Sequence, residues 1–402
     1  MSFFDQLIAF LYAAILASVP LLYGTLGEIL IEKSGNLNLG VEGMMYLGAI
    51  TGFLAAFLME SALMALLFAF LAGMAGAALY AFITVTLKAN QNVTGLTLTI
   101  FGTGVANFIG ETLKENYPAG TVVVADHVKR ALLPLNMGAL SDIPVAGRLL
   151  FSHSILTYLV VLIAIGMSLY LNRTRHGLNL RSVGENPAAA DAVGINVSRY
   201  KYIHILLGGG ICGLGGAYIS LVTAVGNWQP NIVGGQGWIA LALVIFSSWS
   251  PLRAVLGALI FGALSVLRLY IPKEVIDIPG AIFSMLPFVV TCLVLVISYG
   301  CASKDYVRQQ TDPLADRISK LEAASRDSST QLGERVTKLE AGCSAAKAEA
   351  DKAARDAAEA LQTAKESRNQ GDIAADRAEA AARRSEAAAK KAEKAFELHQ
   401  RK

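Results

Sequence analysis

From Met1 to about Gly300 the chain alternates long apolar runs with short polar breaks, and from Cys301 to Lys402 it alternates charge with alanine. In the first part, stretches of about 20 apolar residues read as membrane spans, because hydrocarbon cannot satisfy exposed backbone groups. The pattern predicts nine of them, near Leu7–Leu30, Gly40–Met59, Ala62–Leu87, Val93–Leu113, Phe151–Leu171, Tyr202–Val225, Trp238–Trp249, Leu252–Ile271 and Ile278–Tyr299. The seventh is short enough to be broken, or shared with the glycine-rich stretch before it. The first span begins without a basic segment and is longer than a signal-peptide core, so it reads as a membrane helix and not as a cleaved leader. The fold expected is all-α, a polytopic helix bundle over 1–300, then a linker over 301–313 and an Ala-rich helical or coiled-coil tail over 314–402.

Charge sets the orientation. The loop between Asn172 and Lys201 carries Arg173, Arg175, Arg181, Arg199 and Lys201 against Glu185 and Asp191. A basic short loop belongs on the cytoplasmic side. Counting outward places the N-terminus outside and the tail inside. The loop from Lys114 to Leu150, then external, also holds Lys129, Arg130 and Arg148, so this support is partial.

In the tail, Leu314, Ile318 and Leu321 open a stripe. From Leu332 through Val336, Leu339, Cys343, Ala346, Ala350, Ala353, Ala357, Ala360 and Ala364 it recurs at spacings of four and three, a heptad seam. Alanine favours helix but buries little area, so the rod is expected, while weak pairing and a solvated single helix both stay open.

Composition sharpens this picture. Of 402 residues, 54% are hydrophobic and 16% charged, well below the quarter charged that soluble domains show. The net charge of +3 sums two dissimilar parts, and the tail's basic residues alternate with acids, so nucleic acid is not an expected partner. Cys212, Cys292, Cys301 and Cys343 lack metal-ligand spacing and read as small buried hydrophobes. No Gly-x4-Gly-Lys-Ser/Thr loop occurs, so ATP must be bound by another chain. Nothing reads as a metal site or a catalytic triad, and the chain is not expected to be an enzyme or to carry a cofactor.

Polar residues inside apolar sequence mark where a solute could pass. Asn36, Asn38 and Glu42 lie in the break Glu32–Gly43; they either line a path or merely satisfy a helix break. Asn92, Thr94, Thr97 and Asn107 fall on the fourth span, where such side chains bond back to their own helix or across to another. Trp228, Gln229 and Gln236 lie between the sixth and seventh spans, with Trp228 either an aromatic belt anchor or a stacking surface. These groups suit a neutral, hydroxyl-rich solute. No span carries a chain of carboxylates or histidines, which argues against a proton pump.

Two stretches carry a family likeness. Glu32-Lys33-Ser34-Gly35-Asn36-Leu37-Asn38-Leu39-Gly40-Val41-Glu42-Gly43-Met44-Met45 and Arg181-Ser182-Val183-Gly184-Glu185-Asn186-Pro187 through Val197 resemble signatures of permeases in the ribose, branched-chain amino acid and nucleoside importer superfamily. Val93-Thr94-Gly95-Leu96-Thr97-Leu98 after Asn90-Gln91-Asn92 is most similar to the second permease of nucleoside importers. The likeness covers about residues 5–300. It implies pairing with a second, related permease chain, two cytoplasmic ABC ATPase domains, an extracytoplasmic solute-binding protein, and a setting in the bacterial inner membrane among its lipids. It also implies that Gly184, Glu185, Asn186, Pro187, Ala190 and Gly194 belong to a cytoplasmic coupling helix. Local chemistry agrees: Asn186 suits an N-cap, Pro187 the first helical position, and Gly194 a left-handed stop. An ordinary amphipathic linker is the alternative. Other solutes (a pentose or hexose, or a branched-chain amino acid) and a membrane scaffold acting through its tail are the competing readings.

Overall fold

The computed structural model of the chain describes residues 3–117, 122–135, 138, 141, 143–270, 280–300 and 304–399. It divides into two compact units, Met1–Cys301 and Ala302–Lys402. The first is helical, with no strand among the described residues beyond an isolated bridge between Val123 and Asn227.

Among the described residues, seven stretches are long and apolar enough to cross a membrane. They contain α1 (Phe3–Glu32), α2 (Val41–Met59), α3 (Ala62–Ala81), α4 (Gln91–Asn116), α7 (Ile155–Arg173), α10 (Val197–Tyr218) and α12 (Pro251–Tyr270). Between α4 and α7 lie the short helices α5 (Asp126–Leu132) and α6 (Ala146–Leu150). α3 and α10 each end in a π-helical turn, Phe82–Thr86 and Ile219–Thr223. The remaining two expected spans correspond to α11 (Gln236–Phe246) and α13 (Gly280–Gly300). Eleven residues rise only about 16 Å, half a hydrocarbon core of about 30 Å, so α11 reaches roughly half-way across.

Burial separates centre from rim. Within their most apolar windows α10 and α2 are 78% and 72% buried, whereas α3, α4, α7 and α12 lie near 30%. The two central helices touch through glycine: a Cβ on Gly48 would stand 2.2 Å from the Gly213 carbonyl oxygen, and one on Gly216 would stand 1.8 Å from that of Met45. α3 joins them where Gly73 meets Gly209 at the same range. Membrane helices gain little from apolar burial alone, and small residues supply the close packing that holds them together. Side chains define several helix starts: Asn90 Oδ1 accepts from Val93 N at 3.1 Å and Asn196 Oδ1 from Arg199 N at 2.9 Å.

α14 (Lys304–His399) is a single 96-residue helix. It starts within the segment expected as a linker, whose first three residues lie outside the described ones. Every described side chain from Ser319 to Ala395 is exposed, including the seam. Glu379–Arg383 and Glu386–Lys390 pair at i,i+4, at 2.6 and 3.7 Å. The cysteine expectation holds only in part: Cys212 is buried, but Cys292 and Cys343 are exposed, and Cys301 lies outside the described residues.

Candidate functional site: a re-entrant loop and a half-helix

The break after α1 is an extended segment that climbs back beside its own helix. Gly35 turns the chain at φ +81°. The segment then has its backbone groups satisfied almost entirely by side chains. Gln91 Oε1 accepts from Leu37 N (2.8 Å), Tyr80 donates its hydroxyl to Leu37 O (2.7 Å), and Thr99 donates to Leu39 O (2.9 Å). Asn38 is the clasp. Its N and Nδ2 donate to the Glu28 carboxyl at 3.2 and 2.8 Å, while its Oδ1 accepts from Gly40 N at 2.9 Å. Asn36 is 1% exposed; its Nδ2 donates to Thr84 at 3.4 Å and its Oδ1 has no partner. Glu28 and Tyr80, fully buried, carry this loop and were not among the expected site residues. A carboxylate inside an apolar span was the available signal for Glu28.

Because the loop folds back, α2 starts beside Gly24, in the C-terminal third of α1, and its first turn meets α11. Glu42, 5% exposed, accepts Gly235 N on Oε1 (2.8 Å) and Gly237 N on Oε2 (2.6 Å). Helix starts present unpaired N–H groups and a partial positive charge, and a carboxyl group is their natural complement. The approach is tight, since a Cβ on Gly237 would lie 2.5 Å from Glu42 Cα. Thr25 fixes the height of α11 by donating to Ala240 O at 3.1 Å.

The other expected path residues divide. Gln236 opens α11 and lines a cavity. Asn107 exchanges two bonds with Asn231, at 3.0 and 3.1 Å, tying α4 to the loop before α11. Trp228 is 3% exposed and wedged between Phe53, 5.9 Å between ring centroids, and the bare backbone of Gly110. That is a core position, unlike the interfacial belt considered for it. Thr94 and Thr97 donate to their own helix, at Asn90 O and Val93 O. Asn92, Thr97 and Gln229 are exposed and do not join the cluster.

The second signature stretch folds as α8 (Arg175–Glu185) and α9 (Pro187–Ala192). Asn186 Oδ1 accepts from Ala189 N at 3.0 Å, Pro187 takes the first helical position, and Gly194 stops the turn at φ +84°. Ala190 is buried, and Ile195 N closes the end by donating to its carbonyl at 3.0 Å. Gly184 lies on the re-entrant loop, so that a Cβ there would stand 2.4 Å from Lys33 O. The two signature stretches are therefore in direct contact. Glu32, Lys33, Asn36, Arg181, Glu185 and Trp249 border the polar cavity of about 340 Å³ at this joint. Trp249 Nε1 donates to the Glu32 carboxyl. Burial pulls the Lys33 ammonium below its ordinary pKa and Arg181 adds to this, while Glu185 and Glu32 oppose it.

Residues 10–295 match the family described as branched-chain amino acid transport system / permease component. The chain belongs to this permease family. It is a multi-pass membrane permease subunit of an ABC importer and not an enzyme; membership implies, in general terms, an ATPase and a solute-binding protein. Among its relatives, the nucleoside ABC transporter permease protein NupC of Lactococcus lactis is 35% identical, over 71% of this chain and 90% of its own. The guanosine ABC transporter permease protein NupQ of Bacillus subtilis is 33% identical, over 70% and 89%. TsgC13 of Haloferax volcanii, provisionally named a glucose ABC transporter permease protein, is 36% identical, over 64% and 76%.

Proposed function

We propose that this permease carries a neutral, hydroxyl-rich solute of the nucleoside or simple-sugar class across a bacterial inner membrane. One observation carries the reading. A half-helix ending inside the membrane offers its N-terminus to an anionic group of a substrate, such as an amino-acid carboxylate. Here Glu42 already fills that position on α11 with both carboxyl oxygens. An incoming carboxylate would meet a like group at close range, whereas a neutral sugar or nucleoside would not. The names of NupC and NupQ favour the nucleoside, and that of TsgC13 keeps glucose as the second reading.

On this reading the basic stretch 172–201 faces the cytoplasm. α9 docks on an ATPase that binds the ATP, and a second, related permease chain completes the path. Asn36, Asn38 and Glu42 act by holding the loop and the half-helix. Gln236 stands closest to the solute among the expected residues.

The test is uptake of labelled nucleosides by cells lacking the gene, restored with the intact chain or with Gly194→Pro, with unlabelled glucose, ribose and leucine as competitors. Loss on deletion, rescue by the intact chain alone, and no effect of leucine are expected. Nucleoside uptake unchanged by deletion would refute the nucleoside assignment. Competition by leucine would refute the neutral-solute argument, and full rescue by Gly194→Pro would refute the role given to α9.

A further inference from the structure

Four interruptions of otherwise regular membrane helices meet at one cavity. α1 holds Pro20 within its helix and α13 holds Pro287. α10 ends in the π-helical turn that finishes at Thr223. α11 begins only at Gln236, after Gly234 and Gly235 at φ +59° and +86°. Pro20, Thr223, Gly234, Gln236 and Pro287 all line a single cavity of about 270 Å³, with Ser265 of α12 on its wall.

Each interruption releases backbone groups. Proline lacks the N–H that the carbonyl four residues earlier would receive, and π turns and helix starts leave further groups outside the regular ladder. In hydrocarbon such groups are tolerated where they border a cavity whose contents bond to them. A single break has ordinary explanations in helix packing. Four on one void make a chamber with polar backbone at its edge.

Its depth and chemistry narrow the occupant. The wall from α1 is Ala17–Leu21, close to the middle of Phe3–Glu32. Among the described residues, no ionisable side chain lines the cavity. Its side-chain polar groups are the Thr223 and Ser265 hydroxyls and the Gln236 amide. Ser265 spends its proton on Phe261 O, at 2.8 Å, which leaves its oxygen to accept. Pro20, Leu21 and Ile239 add apolar surface to the lining.

We infer that this cavity is a solute station within the permease, built for a neutral ligand that carries hydroxyl donors and one apolar face. Gln236 supplies a donor and an acceptor, Ser265 an acceptor, and the proline and isoleucine side chains receive the apolar face. The class of ligand rests on the reading under Proposed function; the place rests on the cavity alone.

The test uses the whole transporter, with its ATPase, companion permease and binding protein. Gln236→Cys, in a chain whose own cysteines are replaced by alanine, is exposed to a small thiol reagent with and without solute during turnover. Labelling slowed at least fivefold by a nucleoside is expected. In parallel, Ala17→Trp should fill the chamber and lower uptake at least tenfold in complexes that still co-purify. Protection by glucose and by no nucleoside would keep the site and overturn the nucleoside class. Absence of protection by any solute the transporter carries, or undiminished uptake in Ala17→Trp, would overturn the site. Should Ala17→Trp fail to assemble, the labelling result decides alone.

Discussion

Glu42 should be among the most sensitive positions in the bundle, and by an amount that can be worked out. Its carboxyl receives two backbone N–H groups at 2.8 and 2.6 Å from the start of α11, at a site 5% exposed. A hydrogen bond to a charged group contributes about 1.5–3 kcal/mol, and a buried donor left unpaired forfeits a similar desolvation term. Glu42→Ala removes both bonds and admits no replacement, so it should destabilise by about 3–6 kcal/mol. Glu42→Gln keeps one acceptor and turns an NH₂ group towards the second N–H, which places it near the lower half of that range. Thermal unfolding of the purified complex should therefore rank wild type above Glu42→Gln above Glu42→Ala. On the scale of large domains, where 1 kcal/mol moves Tm by about 2–4 °C, the alanine variant should fall by roughly 10 °C. A Glu42→Ala complex melting within a degree or two of wild type would show that the carboxyl does not hold α11. The case for a neutral solute would fall with it.

Four further outcomes follow from the packing and charge. Gly110→Ala places a Cβ 1.8 Å from Trp228 Nε1, so it should destabilise by about 1–3 kcal/mol in thermal unfolding, and Trp228→Leu in the same chain should restore part of the loss. Gly184→Ala sets a Cβ 2.4 Å from Lys33 O and should lower uptake severalfold in complexes that still assemble; unchanged uptake would show that the joint yields freely. Truncation after Ser303 should leave the Tm of the bundle unchanged, because Met1–Cys301 is a compact unit by itself. Burial lowers the pKa of His153, opposed by its bond to Leu149 O, so the folded state resists its protonation. Stability should be full above about pH 6.5 and decline as pH falls from there through the folded pKa; His153→Phe should flatten that slope in melts run from pH 8 to pH 5.

The helical bundle was legible because hydrocarbon imposes one simple rule on sequence, and the long apolar runs obey it within a few residues at each end. The α9 cap was legible for a different reason: Asn186, Pro187 and Gly194 act on their own backbone, so a local reading suffices. Glu42 stood out by its charge, yet nothing local to it names α11, which lies almost 200 residues away in sequence. The same holds for Glu28 and Tyr80, whose partners in the loop are fixed only by how α1 and α3 stand around it. Trp228 reads from sequence as a belt anchor or a stacking surface, and neither reading foresees the core position it takes. The bare backbone of Gly110, 118 positions earlier, is what makes room for it inside.

If α9 docks on the ATPase as proposed, these long-range contacts give the importer a route from there to the solute. α9 continues from α8 through the single residue Asn186, and Gly184 at the end of α8 lies on the Lys33–Gly35 turn. From that turn the chain runs extended to Asn38, which Glu28 clamps to α1, and enters α2 at Val41. One residue later Glu42 grips the start of α11, and with it Gln236 on the cavity wall. Each link is a backbone contact without an intervening side chain, or a hydrogen bond in a buried site, so little displacement is lost to rotamer freedom along the way. Contiguity alone does not establish coupling. The physical anchor is the capped N-terminus of α11, held by Glu42, while its body of about 16 Å (about 1.5 Å per residue) packs through the buried Ala240, Leu243 and Val244. A push on α9 that shifts the Lys33–Gly35 turn must move the Asn38 clasp or strain it. Either way the change is passed through Glu42 to the start of α11 and the chamber beside it.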